Sequence, residues 1–306
     1  MNTMYEKTRR FLYRNARPLD IARWQYHFEN GSKEAVLTAL SCYQNEDGGF
    51  GHALEEDAWN PNSSLIQTWV ATEILREIEF TDASHPIIQG ILRYLASGQD
   101  FSGHFWYNTV LSNNDYPHAM WWHTESVSTC HTNYNPSACL IGFVIRYADR
   151  SSDLYSLGCR LAKEAFDDIM SESQNNDMHG IACYIRLMDY CRAAGVEDVI
   201  DLNALENRLR ELVQKSITQD KVKWENGYVC RPSQFFNNRD SVFYQDSCEI
   251  AEYECKFIKR TQGDDGSWNI TWCWRDYPNE WAISKNWWKG TVAVQNMIYL
   301  KNFGEI

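Results

Sequence analysis

Three successive carboxylates, Glu55, Glu56 and Asp57, form the segment of this chain that most directly suggests chemistry. Neighbouring like charges raise the pKa of a carboxyl group, because each charge disfavours ionisation of the next. A carboxyl group that keeps its proton near neutral pH can act as a general acid. We therefore predict that these three residues are catalytic. The alternative is an acidic loop that caps the helix starting near Ser63 and complements its dipole.

Histidine and cysteine side chains are concentrated further along the chain. His118, His123, Cys130 and His131 lie close together in the sequence and carry groups that can bind metals. Their spacing matches no zinc signature. We predict that they are polar residues lining the mouth of a site.

Aromatic residues are unusually frequent, with 13 Trp and 17 Tyr, and this frequency favours a site for a flat or apolar ligand. Ring faces can stabilise a carbocation, accommodate an isoprenoid chain or stack on a sugar. The alternative is that the indoles wedge between helices. Two tryptophan pairs lie just ahead of or at predicted helix starts, and histidines accompany the acidic segment and the first pair. The residues predicted to bind the ligand are His52, Trp121, Trp122, His123, Trp287 and Trp288.

A repeated cluster indicates which elements position these residues. Residues 44–50 (QNEDGGF, the first copy) and 262–268 (QGDDGSW, the last copy) share the pattern Q-x2-D-G-[GS]-[FW], and residues 99–103 (QDFSG, the degenerate copy) keep its Gln and Gly. An aliphatic residue lies four positions before each Gln, which indicates that a helix ends there. Each repeat unit is therefore predicted to be a helix, a glycine turn and a second helix.

The residue types explain the turn. Gly48 and Gly266 permit a backbone that side chains would obstruct, and Asp47 and Asp265 can accept hydrogen bonds from local amides. The Gln side chain both donates and accepts, so it can tie one unit to the next.

Apolar spacing near 3.6 residues predicts about six helix pairs. The first pair covers residues 5–16 and 18–30, and later pairs begin near residues 32, 84, 152, 201 and 245. Further helices are predicted over residues 63–79, 135–148, 178–194 and 286–303; the second helix of the fifth pair is not evident between 219 and 245. Tandem helix pairs predict a solenoid or a closed ring, with residues 1–306 as one domain.

The repeats resemble the QW-type repeats of the terpenoid cyclase and protein prenyltransferase superfamily, which includes squalene-hopene cyclases and prenyltransferase β subunits. The resemblance implies an all-α fold, an α/α toroid of about six helix hairpins or (α/α)6 barrel, with inner helices around a cavity. It also implies an isoprenoid or similar apolar ligand. The Glu55-Glu56-Asp57 segment differs from the D-x-D-D acid motif of class II terpene cyclases.

A possible zinc site follows from the same resemblance. Asp246-Ser247-Cys248 resembles the D-x-C pair with which prenyltransferase β subunits hold zinc, so Asp246 and Cys248 are candidate metal ligands. That family adds a histidine further along the chain, whereas the last histidine here is His179. No other cofactor is predicted.

The charge and hydropathy of the chain limit its partners. A net charge of −12 and scattered basic residues argue against nucleic-acid binding. No apolar run approaches the roughly 18 residues that span a bilayer, and the start of the chain lacks a signal-peptide pattern. With cysteines in apolar helical runs, a cytoplasmic protein is expected. Its partner is expected to be a small apolar molecule or a peptide.

Three functional hypotheses follow. The first is a toroid that binds or converts an isoprenoid in an aromatic-lined cavity. The second is a non-catalytic interaction module whose concave mouth binds a peptide or another subunit. The third is a carbohydrate-active α/α barrel that pairs the Glu55–Asp57 carboxylates with Asp264 or Asp265. The sequence predicts no oligomeric state.

Overall fold

The computed structural model describes residues 3–126, 134–171 and 177–306. Within these ranges the chain forms eleven α-helices and no β-strand, so the all-α prediction is confirmed. The helices are α1 (Met4–Asn15), α2 (Pro18–Phe28), α3 (Lys33–Ser41), α4 (Leu65–Glu77), α5 (Pro86–Ala96), α6 (Ser137–Tyr147), α7 (Asp153–Met170), α8 (Met178–Ala194), α9 (Leu202–Ser216), α10 (Cys248–Thr261) and α11 (Pro278–Asn302). None of the described helices is long and apolar enough to cross a membrane.

Side-chain caps explain why several helices begin where the sequence predicts. Ser32 Oγ accepts a hydrogen bond from the Ala35 amide at the start of α3, and Ser152 Oγ accepts from Tyr155 at the start of α7. Asp177 caps α8 in the same way. Each cap satisfies an amide that has no partner inside its own helix.

Two regions differ from the predicted helix pairs. The last helix begins at Pro278, eight residues before the predicted start at 286, because proline is well tolerated in the first helical turn. Between α9 and α10 the chain forms only short 3₁₀ turns, so the fifth pair has no second α-helix.

Contacts divide the chain into two compact units. The terminal unit comprises Met1–Cys42 and Gln214–Ile306, and the central unit comprises Tyr43–Val213. In the terminal unit, α1 and α2 pack against α11, so the first helices of the chain contact the last. A single domain over residues 1–306, closed into a ring, stays a prediction.

The core of the central unit is built around α6. Residues 137–145 are all buried, as the uninterrupted apolar run predicts, and α6 packs mainly against α8 and α7. Gly142 permits the close approach of α8, because a Cβ atom there would lie 2.9 Å from Tyr190 Cδ2. An apolar helix buried on all sides is expected to hold its neighbours rigidly.

The first and last repeat copies form the same turn. Nε2 of Gln44 donates to the Gly48 carbonyl and to the Ile87 carbonyl of α5. Nε2 of Gln262 donates to the Gly266 carbonyl and to the Met4 carbonyl of α1. The glutamine therefore ties its turn to another helix, as predicted.

The glycine and aspartate of each turn also take equivalent positions. Gly48 and Gly266 have φ angles of +95° and +92°. Added Cβ atoms would lie only 2.1 Å from the Gly90 carbonyl oxygen and 2.2 Å from the Lys7 carbonyl oxygen, respectively. Only glycine fits such a contact at positive φ.

Candidate functional site

The Glu55–Asp57 segment lies in the central unit, in the loop between the first copy and α4. Glu55, Glu56 and Asp57 are 6%, 2% and 3% exposed, which is unusual for acidic residues. Just before them, His52 and Ala53 have positive φ angles of 61° and 59°. Two consecutive non-glycine residues in this region store backbone strain that the surrounding structure must hold in place.

Burial changes the acidity of Glu55. Its Oε2 atom accepts a hydrogen bond from the Asp57 amide at 2.9 Å. Burial raises the pKa of Glu55 well above its usual value, and the Asp57 and Glu56 carboxylates raise it further. The Asp57 amide and the indole of Trp122 favour the charged form but are outweighed. Glu55 is therefore a buried carboxyl group that tends to keep its proton.

The indole of Trp122 is a neighbour of Glu55 and not a well-formed hydrogen-bond donor. Its Nε1 atom is buried and, in the described part of the chain, has no hydrogen-bond partner at normal geometry. The indole therefore favours the charged form of Glu55 because it lies close to the carboxyl group, and not through a well-formed hydrogen bond.

Two segments hold the acidic loop. The Ala119 amide donates to the Asp57 carbonyl at 2.8 Å, and the Trp59 amide donates to the Pro117 carbonyl at 2.9 Å. From α4, Gln67 Oε1 accepts from the Leu54 amide at 2.9 Å. The fold therefore brings the acidic loop to the segment that contains Trp121 and Trp122.

Two histidines, His118 and His123, lie on either side of Trp121 and Trp122 in the chain. His118 Nδ1 donates to the Tyr116 carbonyl at 2.6 Å, and its Nε2 lies 3.3 Å from His123 Nδ1. The two rings stack with their centroids 5.5 Å apart. His123 Nε2 contacts Glu125 Oε1 at 2.9 Å, which links the pair to an exposed carboxylate. Cys130 and His131 lie outside the described residues.

The loop is not the cap of the following helix. Ser64 is the N-cap of α4, and its Oγ accepts from the Gln67 amide. The prediction that Glu55–Asp57 cap this helix is therefore wrong, because a serine closer to the helix already has that position. That the acidic loop complements the helix dipole stays a prediction.

The predicted ligand-binding residues fall into separate groups. Trp121 is 37% exposed and, with Trp122 and His123, lies in the segment beside the acidic loop. His52 instead contacts the first copy, through Nε2 to Asn45 Oδ1 at 2.9 Å.

The second tryptophan pair is not at a helix start. Trp287 and Trp288 lie within α11 and belong to the terminal unit, because this helix already begins at Pro278. The guanidinium of Arg17 lies 5.8 Å from the Trp287 ring centroid, and Trp288 packs edge-on against Trp272 at 5.1 Å. These indoles pack against neighbouring side chains of their own unit.

The candidate zinc ligands are close neighbours in the sequence. Asp246 lies in a 3₁₀ turn, and Cys248 is the first residue of α10. Among the described residues, no three His, Cys, Asp or Glu side chains are grouped so that they could hold a metal ion. Two donors alone do not fit a zinc site, which normally needs at least three protein ligands.

The acids assigned to a carbohydrate-active site have other contacts. Asp265 Oδ1 accepts from the Ser267 amide at 2.9 Å and from Ser267 Oγ at 2.7 Å. Together with Lys289, these bonds overcome the effect of burial and lower the pKa of Asp265. Asp264 is fully exposed and lies 4.0 Å from Lys7 Nζ. Asp265 thus stabilises the turn of the last copy.

One network of charged residues, around Glu73, was not predicted from the sequence. Glu73 Oε2 on α4 accepts from Arg76 Nη2 and from Arg186 Nε, each at 3.0 Å. Burial favours the neutral acid, but Arg76 and Arg186 outweigh it and lower the pKa of Glu73 to about 2. Cys139 Sγ lies 3.5 Å from Glu73 Oε1. The sequence signal that could have indicated this network is a glutamate among the apolar residues of α4.

Comparison of the chain with protein-family models, with curated proteins and with solved structures finds no match.

Proposed function

We propose that this protein binds an isoprenoid or a similar apolar ligand and that Glu55 is its proton donor. The observation that carries the proposal is the burial of Glu55 beside Glu56 and Asp57, which raises the pKa of the Glu55 carboxyl group. A neutral carboxylic acid that is buried from water can protonate a weak base that water would not.

The proposed proton transfer from Glu55 to the ligand can be written bond by bond. As the Glu55 O–H bond breaks, the π electrons of a ligand double bond form a new C–H bond, and the O–H electron pair stays on the carboxylate. The carbocation is neutralised when an adjacent carbon loses a proton to the Glu55 carboxylate, or when water adds and then loses a proton to that carboxylate. The Asp57 amide, which already bonds Glu55 Oε2, can stabilise the carboxylate that forms.

Aromatic side chains beside the acid support this proposal. Trp122 neighbours Glu55, and Trp121 in the same segment presents an exposed indole. Indole faces attract cations, so they suit a ligand that develops positive charge. The contact of α1 and α2 with α11 supports the further proposal that the helix pairs close into a toroid. A cytoplasmic location belongs to the same proposal.

Proton transfer can be tested directly with farnesol in deuterated water. The recovered isoprenoid is expected to carry deuterium, measured by mass spectrometry, because Glu55 exchanges with solvent before each transfer. Glu55→Gln should abolish the incorporation. Glu249→Gln, which changes an exposed carboxylate at the start of α10, is the matched control and should behave like the wild type.

Binding is measured separately by thermal unfolding with farnesol, farnesyl diphosphate and maltotriose. A shift with either isoprenoid that is reduced in Trp122→Ala supports the proposal. Stabilisation by maltotriose alone favours the carbohydrate hypothesis. If no probe shifts the midpoint and Glu55→Gln folds normally, the acidic cluster is structural and the interaction module becomes the better hypothesis.

A further inference from the structure

The segment that carries Trp122 contains a chain of three hydrogen bonds. His118 Nδ1 donates to the Tyr116 carbonyl at 2.6 Å, and His118 Nε2 lies 3.3 Å from His123 Nδ1. The other ring nitrogen of His123, Nε2, lies 2.9 Å from Glu125 Oε1. This chain runs from a histidine that is 7% exposed to a carboxylate side chain that is 87% exposed. We call it the histidine chain.

The number of protons in the histidine chain follows from its two ends. A backbone carbonyl can only accept a hydrogen bond, and so can an ionised carboxylate. Three hydrogen bonds between these ends therefore need three protons, all of them on the four ring nitrogens of His118 and His123. Two neutral imidazoles carry only two. The pair completes the chain only when it holds a third proton and, with it, one positive charge.

The surroundings of the pair favour that positive charge. His118 forms an isolated antiparallel β-bridge with Ala58, which brings the acidic loop to the pair. The charged carboxyl and basic side chains of these two segments, residues 53–60 and 111–126, are all acidic; they are Glu55, Glu56, Asp57, Asp115 and Glu125. An ionised carboxylate nearby favours the protonated form of a histidine. The third proton is therefore favoured by both segments.

The histidine chain joins the two ends of a short turn. The 3₁₀ turn Met120–Trp122 lies between the two histidines. The Ala119 amide at its start donates to the carbonyl of Asp57 in the acidic loop at 2.8 Å. Its last residue, Trp122, is a neighbour of Glu55. A hydrogen-bonded link across this turn therefore restricts the position of the indole next to the buried acid.

We propose that His118 and His123 are positioning residues, which hold Trp122 beside Glu55 while the pair carries three protons and release the turn when the third proton is lost. A fourth proton also breaks the chain, because two N–H groups would then meet at 3.3 Å. Histidine is the side chain that ordinarily changes charge between about pH 5 and pH 8. The link therefore depends on pH. Its meaning for catalysis rests on the proposed role of Glu55, whereas the protonation of the pair does not.

NMR of the protein with ¹⁵N-labelled histidine counts the protons on each ring, with signals assigned by His118→Gln and His123→Gln. Two separate protonation steps are expected for the pair, more than about one pH unit apart, because the second step breaks the bond between the rings. His104 is the internal control, since it is a single imidazole 2.9 Å from Glu164 Oε2 and should titrate in one step. Coincident steps for His118 and His123 overturn the proposal.

Glu125→Gln tests whether the third proton is needed because the chain ends at a carboxylate. The glutamine amide can donate to His123 Nε2, so two neutral imidazoles are then enough to complete the chain. The pair should therefore lose its third proton at a lower pH than in the wild type. Glu164→Gln, the same change beside His104, is the matched control and should leave the titration of the pair unchanged. Equal effects of the two variants contradict the proton count.

Hydrogen exchange at the Trp122 indole, assigned with Trp122→Phe, measures whether the chain holds the turn. Its Nε1 atom is buried, so the N–H exchanges when the turn opens. At a pH where the wild-type pair has only two protons, exchange should be about fivefold slower in Glu125→Gln, because that variant keeps the chain. Equal exchange rates at that pH overturn the positioning role.

Zinc analysis of the purified protein gives a further check on the pair. Stoichiometric Zn²⁺ that is lost in His123→Gln would make the pair a metal site and overturn the proposal. None of these measurements needs an isoprenoid. The third proton and the protected indole can therefore be found even if deuterium transfer from Glu55 fails, and deuterium transfer can succeed without them.

Discussion

Nε2 of Gln262 lies 2.8 Å from Oγ1 of Thr8, although 254 positions separate the two residues. The same amide also donates to the Met4 and Gly266 carbonyls. One side chain therefore joins the last copy to the first helix of the chain. Gln44 makes the corresponding connection to the Ile87 carbonyl of α5 at 3.1 Å.

Replacing Gln262 should show how much this connection contributes to the free energy of unfolding. Gln262→Ala leaves partly buried acceptors without their donor, and we expect a loss of about 1–3 kcal/mol in the free energy of unfolding. Gln99→Ala, at the matching position of the degenerate copy, is the control and should cost less than about 0.5 kcal/mol because Gln99 is exposed. Urea denaturation measures both. Equal losses would contradict a special role for Gln262.

Replacing the turn glycine should reduce stability by a different amount in each copy. Gly266→Ala places a Cβ atom 2.2 Å from the Lys7 carbonyl oxygen at a φ angle of +92°, so we expect a loss of about 3 kcal/mol or more.

Gly103→Ala is the matched control for backbone strain without a clash. Gly103 has a φ angle of +100°, and its added Cβ would meet no atom within 4 Å. The control should cost about 1–2 kcal/mol. Thermal or urea unfolding distinguishes the two variants. If Gly103→Ala is as damaging as Gly266→Ala, the close contact is not the cause.

Local features of the fold were predictable from the sequence, because they depend on near neighbours. The serine caps, the glycine turns and the glutamine connections follow from residue types at short spacing. The start of α11 was missed because the residues around Pro278 look like a turn. Nothing in the sequence placed Trp122 beside Glu55, or Arg186 beside Glu73, since both pairings depend on how distant segments pack.

Glu55 should make stability depend on pH in a defined direction. Burial raises its pKa in the folded state, so its contribution to stability is fully present below the unfolded pKa of about 4.5 and is lost as the pH rises through the folded pKa. Glu55→Gln removes this loss. The free energy of unfolding of the variant, minus that of the wild type, should therefore increase between pH 5 and pH 8.

Glu249→Gln serves as the control for this pH series, because Glu249 is exposed on α10. The difference between that variant and the wild type should stay nearly constant over the same range. A constant difference for Glu55→Gln as well would show that Glu55 is ionised at neutral pH, and it would remove the basis for a proton donor.

The Glu73 carboxylate should have the opposite dependence on pH. Its folded pKa of about 2 lies below the usual value of 4.5, so its contribution to stability is present above pH 4.5 and is lost as the pH falls toward 2. Because the Glu73 side chain is 22% exposed and that of Arg186 13% exposed, we expect a coupling energy of about 2 kcal/mol between them at pH 7. A double-mutant cycle of Glu73→Gln and Arg186→Met measures this energy by urea denaturation. The coupling should disappear near pH 2, where Glu73 takes up its proton. Coupling that persists there would mean that packing, and not charge, joins α4 to α8.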